Sequence, residues 1–324
     1  MSTRRQILQQ AVFASGAAAL LKAQPSSATA GEPAWKKLFP SNFRNERIKT
    51  SGAEINAVIG GSGPPVLMFH GAPQSLITWR MIAPDLARDY TLVMCDLRGY
   101  GDSSKPEGEK DHTTYSKRPM ALDGVEVMKH LGYNQFLMVG HDRGGRVGRR
   151  MAIDHPDAVT KLVVMDIVPA HYLYSHVTIE FVQAYFHWFN YLRPAPGPED
   201  ELLKQNSRPL PENVTDVARI EYHRLNADPA MLHAMCEDYR ASASVDLKID
   251  EADLKAGKRI QCPVRVLWAA NGAMGRLYDV LGIWKSEGVD EGAKITGKGL
   301  PGNHSLQESA PKETLAELQQ FLRA

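Results

Sequence analysis

The chain is poor in cysteine. Only Cys95, Cys236 and Cys262 occur in 324 residues, with no C-x-x-C pair and no histidine-rich spacing around them. That argues against a disulfide framework and against a zinc or cluster site. Cys95 ends an apolar run and Cys262 precedes one, so both read as core thiols. No charge excess exists either, with 38 basic against 37 acidic residues. A nucleic-acid partner would ask for a strongly basic face. No apolar run is long enough to span a bilayer, and no repeat or low-complexity tract is visible. What is present is 43% apolar residues, enough for a sizeable core in one large domain with an insertion.

The first thirty residues stand apart. Arg4 and Arg5 precede an alanine-rich apolar stretch, Ala11–Leu21, followed by Ala28-Thr29-Ala30, a small-x-small pattern. This is the layout of an export signal, and the paired arginines give it a twin-arginine look. The expectation is a periplasmic or secreted protein; the alternative is a disordered or amphipathic cytosolic tail. Removing residues 1–30 takes three basic residues and no acidic one, leaving a net charge of −2.

Beyond the leader, residues 47–59 predict a hairpin with its turn near Ser51-Gly52. Short apolar runs follow at Val66–Phe69, Thr91–Cys95, Phe136–Val139, Leu162–Met165 and Val264–Trp268, with helical patterns between them. Ser116–Leu131 and Arg146–His155 are the clearest helices, and a last one starts at Pro311. Continuous apolar strands alternating with helices predict a parallel sheet covered on both faces. The alternation stops between residues 170 and 259, a stretch rich in aromatics and prolines with no strand signal. Ninety residues are too many for a loop, so this is expected to be a helical cap inserted into a core of residues 31–169 and 260–324. A cap so placed covers the carboxyl ends of the strands, where open α/β sheets bind ligands.

The strongest chemical signal is Gly140-His141-Asp142-Arg143-Gly144, between a strand and a helix. That is the setting of a nucleophile elbow, here with Asp142 at its centre. A carboxylate can attack a saturated carbon and form an ester; the plain alternative is a helix-capping aspartate. His70-Gly71-Ala72-Pro73 follows the strand Val66–Phe69 and is expected to supply an oxyanion-hole amide at Ala72, with Arg143 supplying the other. His70 itself reads as structural. His304 is the candidate base, in a late loop before the final helix, and no other histidine follows His233. The orienting acid is expected at Asp166, at the end of the strand Leu162–Met165, because the loop after Val264–Trp268 holds no carboxylate.

The segments HGAPQ, CDLRGYGDSSKP, GHDRGGR, AIDHP and VVMDIVP closely resemble fluoroacetate and haloacetate dehalogenases of the α/β-hydrolase fold. Phe186-His187-Trp188, Asp238-Tyr239-Arg240 and Asn303-His304 continue the resemblance. HGxP and DLRGYGxS are shared with epoxide hydrolases; GHDRGGR together with the cap His-Trp is more specific. The resemblance implies that Arg143 and Arg146, on the first turn after Asp142, clamp a substrate carboxylate. It implies that His187, Trp188 and Tyr239 donate hydrogen bonds to the leaving halide, although His187 and Trp188 also read as part of an aromatic cap core. By contrast Arg149 and Arg150, further along the helix, read as surface charges. Haloalkane dehalogenases typically carry Trp after the nucleophile, so Arg143 argues for an anionic haloacid. The resemblance also suggests a homodimer, and no cofactor. Two departures leave the pocket size open: Ala72, where the family often has a bulky residue, and the unmatched cap segment 198–217. The rival activities are an epoxide hydrolase, for which Tyr185, Tyr191, Tyr222 and Tyr239 offer acids, and a non-catalytic periplasmic binding protein on the same scaffold.

Overall fold

A computed structural model of the chain describes residues 33–290 and 292–323; the leader with Arg4 and Arg5 lies outside them. Eight strands form one sheet: β1 (Arg44–Lys49), β2 (Glu54–Gly61), β3 (Pro65–Phe69), β4 (Thr91–Cys95), β5 (Phe136–His141), β6 (Val159–Met165), β7 (Val264–Ala269) and β8 (Ile295–Leu300). Their order is β1-β2-β4-β3-β5-β6-β7-β8. β2 pairs antiparallel with both β1 and β4, and β4, β3 and β5 to β8 are mutually parallel.

The central strands are apolar at every position because both faces are covered. Leu67, Phe69, Val93, Met138 and Val164 pack into one core layer. Their alternating neighbours Val66, Met68, Leu92, Met94, Val139 and Val163 pack into the other. β8 starts two residues later than the apolar residues suggest and runs on to Leu300. Its glycines hide the pattern: a side chain at Gly297 or Gly299 would press on the Trp268 ring, at 2.9 and 3.1 Å. Seven helices from Ala170 to Lys255 lie between β6 and β7. Among the described residues no helix is long and apolar enough to cross a membrane.

Chain direction reverses its progress across the sheet at β3, so the ends of β3 and β5 lie side by side. Phe69 pairs with Gly140, and His141 pairs with Met165 of β6. The loops carrying Ala72, Asp142 and Asp166 therefore open at one level of one edge, the crevice expected of such sheets. β5 turns into the helix Arg143–Asp154 through Asp142, which holds φ 43° and ψ −114°. A non-glycine residue there is strained, and such strain gathers at functional turns. The turn is possible because Gly144 lies against β3, donating its N–H to His70 O at 2.9 Å. A Cβ at Gly144 would run into the Phe69 carbonyl, and backbone cannot easily give way. Gly144→Ala is expected to lower the melting temperature by many degrees or abolish folding. Gly197→Ala, at a cap-helix start with nothing within 4 Å, should be neutral or stabilising by about 0.4–1 kcal/mol; equal melting temperatures for the two variants would refute the packing argument.

Candidate active site

Asp142 is buried at the elbow, and one of its oxygens, Oδ2, accepts a hydrogen bond from the Ala72 amide at 3.2 Å. The amide of Arg143 opens the following helix, where first-turn N–H groups have no intrahelical acceptor. Burial alone would raise the Asp142 pKa, but His304, Arg143, His141 and Arg146 outweigh it and hold the carboxyl below its ordinary value. His304 Nδ1 meets Asp166 Oδ2 at 2.6 Å, and Asp166 Oδ1 accepts the Ala269 amide of β7 at 2.8 Å. Asp166 also holds a positive φ, 54°, which swings its side chain toward the His304 loop. With Nδ1 so engaged, His304 keeps Nε2 free. Burial would lower its pKa; the Asp166 hydrogen bond and the charges of Asp142 and Asp166 raise it instead.

His70 is fully buried below the loop. Its Nδ1 lies 2.8 Å from Gly71 O, its Nε2 accepts the Leu97 amide at 3.2 Å, and burial pushes its pKa down to about 4. It is a strut. His141, also lowered to about 4 by burial and by His304, places Nε2 2.8 Å from His304 O and braces the base loop.

The two arginines differ in a way that sequence spacing does not reveal. Arg143 is fully buried and spends its fork on cap residue Asp238, with Nε to Oδ2 at 2.9 Å and Nη2 to Oδ1 at 2.6 Å. Nη2 also donates to Asp238 O and Ser242 Oγ. Only Nη1 stays unpaired. Arg143 is therefore not a free guanidinium of a symmetric pair. Arg146 donates Nη1 to Val168 O at 3.1 Å, leaves Nε buried and unpaired, and has no carboxylate partner among the described residues. Its Cζ lies 4.8 Å from the Trp188 ring centre, while Arg143 Cζ lies 4.3 Å from that of Tyr239. Both contacts are of the cation–π kind.

Trp188 and Tyr239 are buried with ring centres 5.7 Å apart, inside an aromatic cluster that includes Tyr174, Phe181 and Tyr185. They are cap core and guanidinium support together. His187 keeps part of its surface open to solvent, with its ring 6.1 Å from that of Tyr239 and 5.6 Å from that of Tyr191; partial burial, with the charges of His304 and Arg143, lowers its pKa.

Arg149 and Arg150 are not surface charges. They are buried against the cap helix Val245–Lys255, Arg149 on Asp250 at 2.8 Å and Arg150 on Asp253 at 2.6 Å. The acids Asp246, Asp250 and Asp253 stand at i, i+4 and i+7, one face of a helix, which is the signal that could have found this interface. Asp238 and Lys117 were missed too. Lys117 is buried and paired to Asp238 Oδ1, and Tyr100 donates to Oδ2 at 2.7 Å. Burial would raise the Asp238 pKa, but Arg143 and Lys117 hold its carboxyl far below the usual range.

A strained aspartate elbow, an amide aimed at its carboxylate and a histidine–aspartate pair at the carboxyl ends of a mostly parallel sheet define an α/β-hydrolase. A family model for the α/β hydrolase fold matches residues 64–202. The chain is 39% identical over 292 residues to a fluoroacetate dehalogenase of Burkholderia sp, covering 86% of this chain and 94% of that one. It is 32% identical over 275 residues to a soluble epoxide hydrolase of Corynebacterium sp. (strain C12), covering 78% and 90%. The crystal structure of a Nostoc sp PCC 7120 protein assigned to the α/β hydrolases superposes with a TM-score of 0.80 at 44% identity, covering 87% and 98%. The chain belongs to the fluoroacetate and haloacetate dehalogenase family of the α/β-hydrolases.

Asp238→Ala would leave Arg143 a buried cation without a carboxylate, and Lys117 with only Asp246, 3.5 Å away. Breaking a buried pair costs about 3–5 kcal/mol, so the variant should melt roughly ten degrees lower or more. Thermal unfolding checks this, and a loss of only a degree or two would show that solvent reaches the pair.

Proposed function

We propose that this protein is a cofactor-independent haloacetate dehalogenase that works through an ester on Asp142. The observation that carries the reading is Arg146: a buried guanidinium with no carboxylate of its own, stacked on Trp188 and one helical turn from Asp142. Arg143 is paired to Asp238, so Arg146 is the guanidinium beside Asp142 that has no salt-bridge partner among the described residues. A small monoanion such as a 2-haloacid matches that charge; a neutral epoxide or haloalkane does not.

In this mechanism the substrate carboxylate lies against Arg146 and the free Nη1 of Arg143. Asp142 attacks the α-carbon with Oδ1, since Oδ2 is held by Ala72; the new C–O bond forms as the carbon–halogen bond breaks, and halide leaves with the electron pair. Trp188, Tyr239 and His187 have N–H and O–H donors to offer the departing anion. His304, oriented by Asp166, then takes a proton from water as the water adds to the ester carbonyl. The amides of Ala72 and Arg143 steady the resulting oxyanion. Collapse breaks the bond between the Asp142 carboxyl carbon and the substrate oxygen, the proton on His304 passes to that oxygen, and the 2-hydroxy acid leaves with Asp142 restored.

Charge times the base. The Asp142 carboxylate is one of the groups that raise the His304 pKa. Esterification removes that charge, so His304 sheds its proton more readily once the ester has formed and is then neutral, ready to accept one from water. Asp142→Asn imitates the uncharged ester, and the His304 ring, followed by NMR titration, should show a lower pKa than in the unmodified protein; an unchanged or higher value would contradict this coupling.

The reading is tested by halide release from fluoro-, chloro- and bromoacetate beside hydrolysis of styrene oxide. Halide release with no diol supports it; diol formation without halide release would make the protein an epoxide hydrolase using the same aspartate. In the His304→Ala variant, chloroacetate should leave one carboxymethyl group on Asp142, visible by intact-protein mass spectrometry. A folded variant that takes up no adduct would refute the ester. The Arg4-Arg5 leader adds the proposal that the enzyme works outside the cytoplasm.

A further inference from the structure

Three buried polar atoms with no hydrogen-bond partner surround one side chain, the Trp188 indole: Arg143 Nη1, Arg146 Nε and Tyr174 Oη. The two guanidinium carbons lie 5.9 and 4.8 Å from the indole ring centre. The Tyr174 ring centre lies 5.7 Å from it, on the cap helix Ala170–Ser175 that directly follows Asp166. Other buried atoms in this protein also lack partners, but these three gather at one ring, and two of them are on the helix that Asp142 opens. Buried donors are normally satisfied, and three around one ring call for an acceptor that the protein itself does not provide.

We propose that Tyr174 is a third donor of the anion subsite, its phenol O–H bonding a substrate carboxylate oxygen that Arg143 and Arg146 leave unfilled. This rests on the dehalogenase reading for the identity of the substrate, though not for the existence of the subsite. An ionised carboxylate offers about four lone-pair positions. Arg143 Nη1 and Arg146 Nε account for two. A phenol adds a donor without adding charge, so Arg146, with no salt bridge of its own, still matches a monoanion. Burial raises the Tyr174 pKa, although Arg143 and Arg146 pull it down, and the hydroxyl keeps its proton to donate. Tyr174 would thus bind the end of the substrate that does not react, unlike Tyr239, whose place in this scheme is with the leaving group.

The test is Tyr174→Phe, which keeps the ring against Trp188. Acetate, a carboxylate with no leaving group, serves as competitive inhibitor, and bromide probes the halide side. The KM for chloroacetate and the inhibition constant of acetate should rise together by roughly tenfold or more, with bromide inhibition unchanged. The ligand-free variant should melt no lower than the unmodified protein, because the lost hydroxyl had no partner. Unchanged acetate inhibition would overturn the proposal, as would a loss confined to bromide, which would place the hydroxyl beside the halide. If the unmodified protein releases no halide from any haloacetate, the dehalogenase reading fails by itself. Calorimetry of acetate binding to the two proteins then still decides Tyr174: weaker binding to the variant supports the subsite, and equal binding removes it.

Discussion

The buried bond between Arg143 and Asp238 governs the rest of the site. Arg143 is the residue next to Asp142, and a guanidinium free to swing there would pair with the Asp142 carboxylate and blunt it. Asp238 prevents this by engaging Nε and Nη2 together, in a geometry that suits a planar fork. The bond also joins the helix that starts at the elbow to a cap helix, Pro229–Ser242, so the cleft is shaped by an ion pair and not by apolar contact alone. Desolvating such charges is costly unless every partner is in place. Lys117 and Tyr100 complete the set around Asp238.

Two aspartates on neighbouring strands illustrate how surroundings divide labour between identical side chains. Asp166 is saturated: one oxygen takes a main-chain amide and the other takes His304. Asp142 accepts one amide and is otherwise held by charges at a distance. A carboxylate with both oxygens committed is a poor nucleophile and a good anchor. One with an oxygen to spare, kept ionised by nearby cations, is suited to attack. The proposed chemistry follows from this contrast more than from the residue types.

The parts legible in the sequence are those set by local pattern. A strand, two glycines and a helix around Asp142 mark an elbow without knowledge of anything distant. Asp166 and His304 could be paired because each sits just beyond a sheet strand, and strand ends in a parallel sheet converge. The cap was legible as an insertion but not in its contacts. Whether Arg149 faces water or Asp250 depends on where a helix a hundred residues later comes to rest. Tyr174 and Asp238 are likewise ordinary helix residues until the cap is folded down. Arg143 and Arg146 share a helical face, as their spacing requires, yet one is neutralised and the other is not, and only the cap decides which.

The hydrogen bond from the Ala269 amide to Asp166 has an evolutionary consequence. The acid that orients the base is fixed by main chain, so its support asks for no hydrogen-bonding side chain at position 269, only one small enough for a fully buried site. A larger side chain at 269 would have to displace the core around it, and Ala269→Pro would delete the donor itself. The hold on His304 therefore depends on the path of the β7 main chain, and no second polar side chain is needed there to fix the acid.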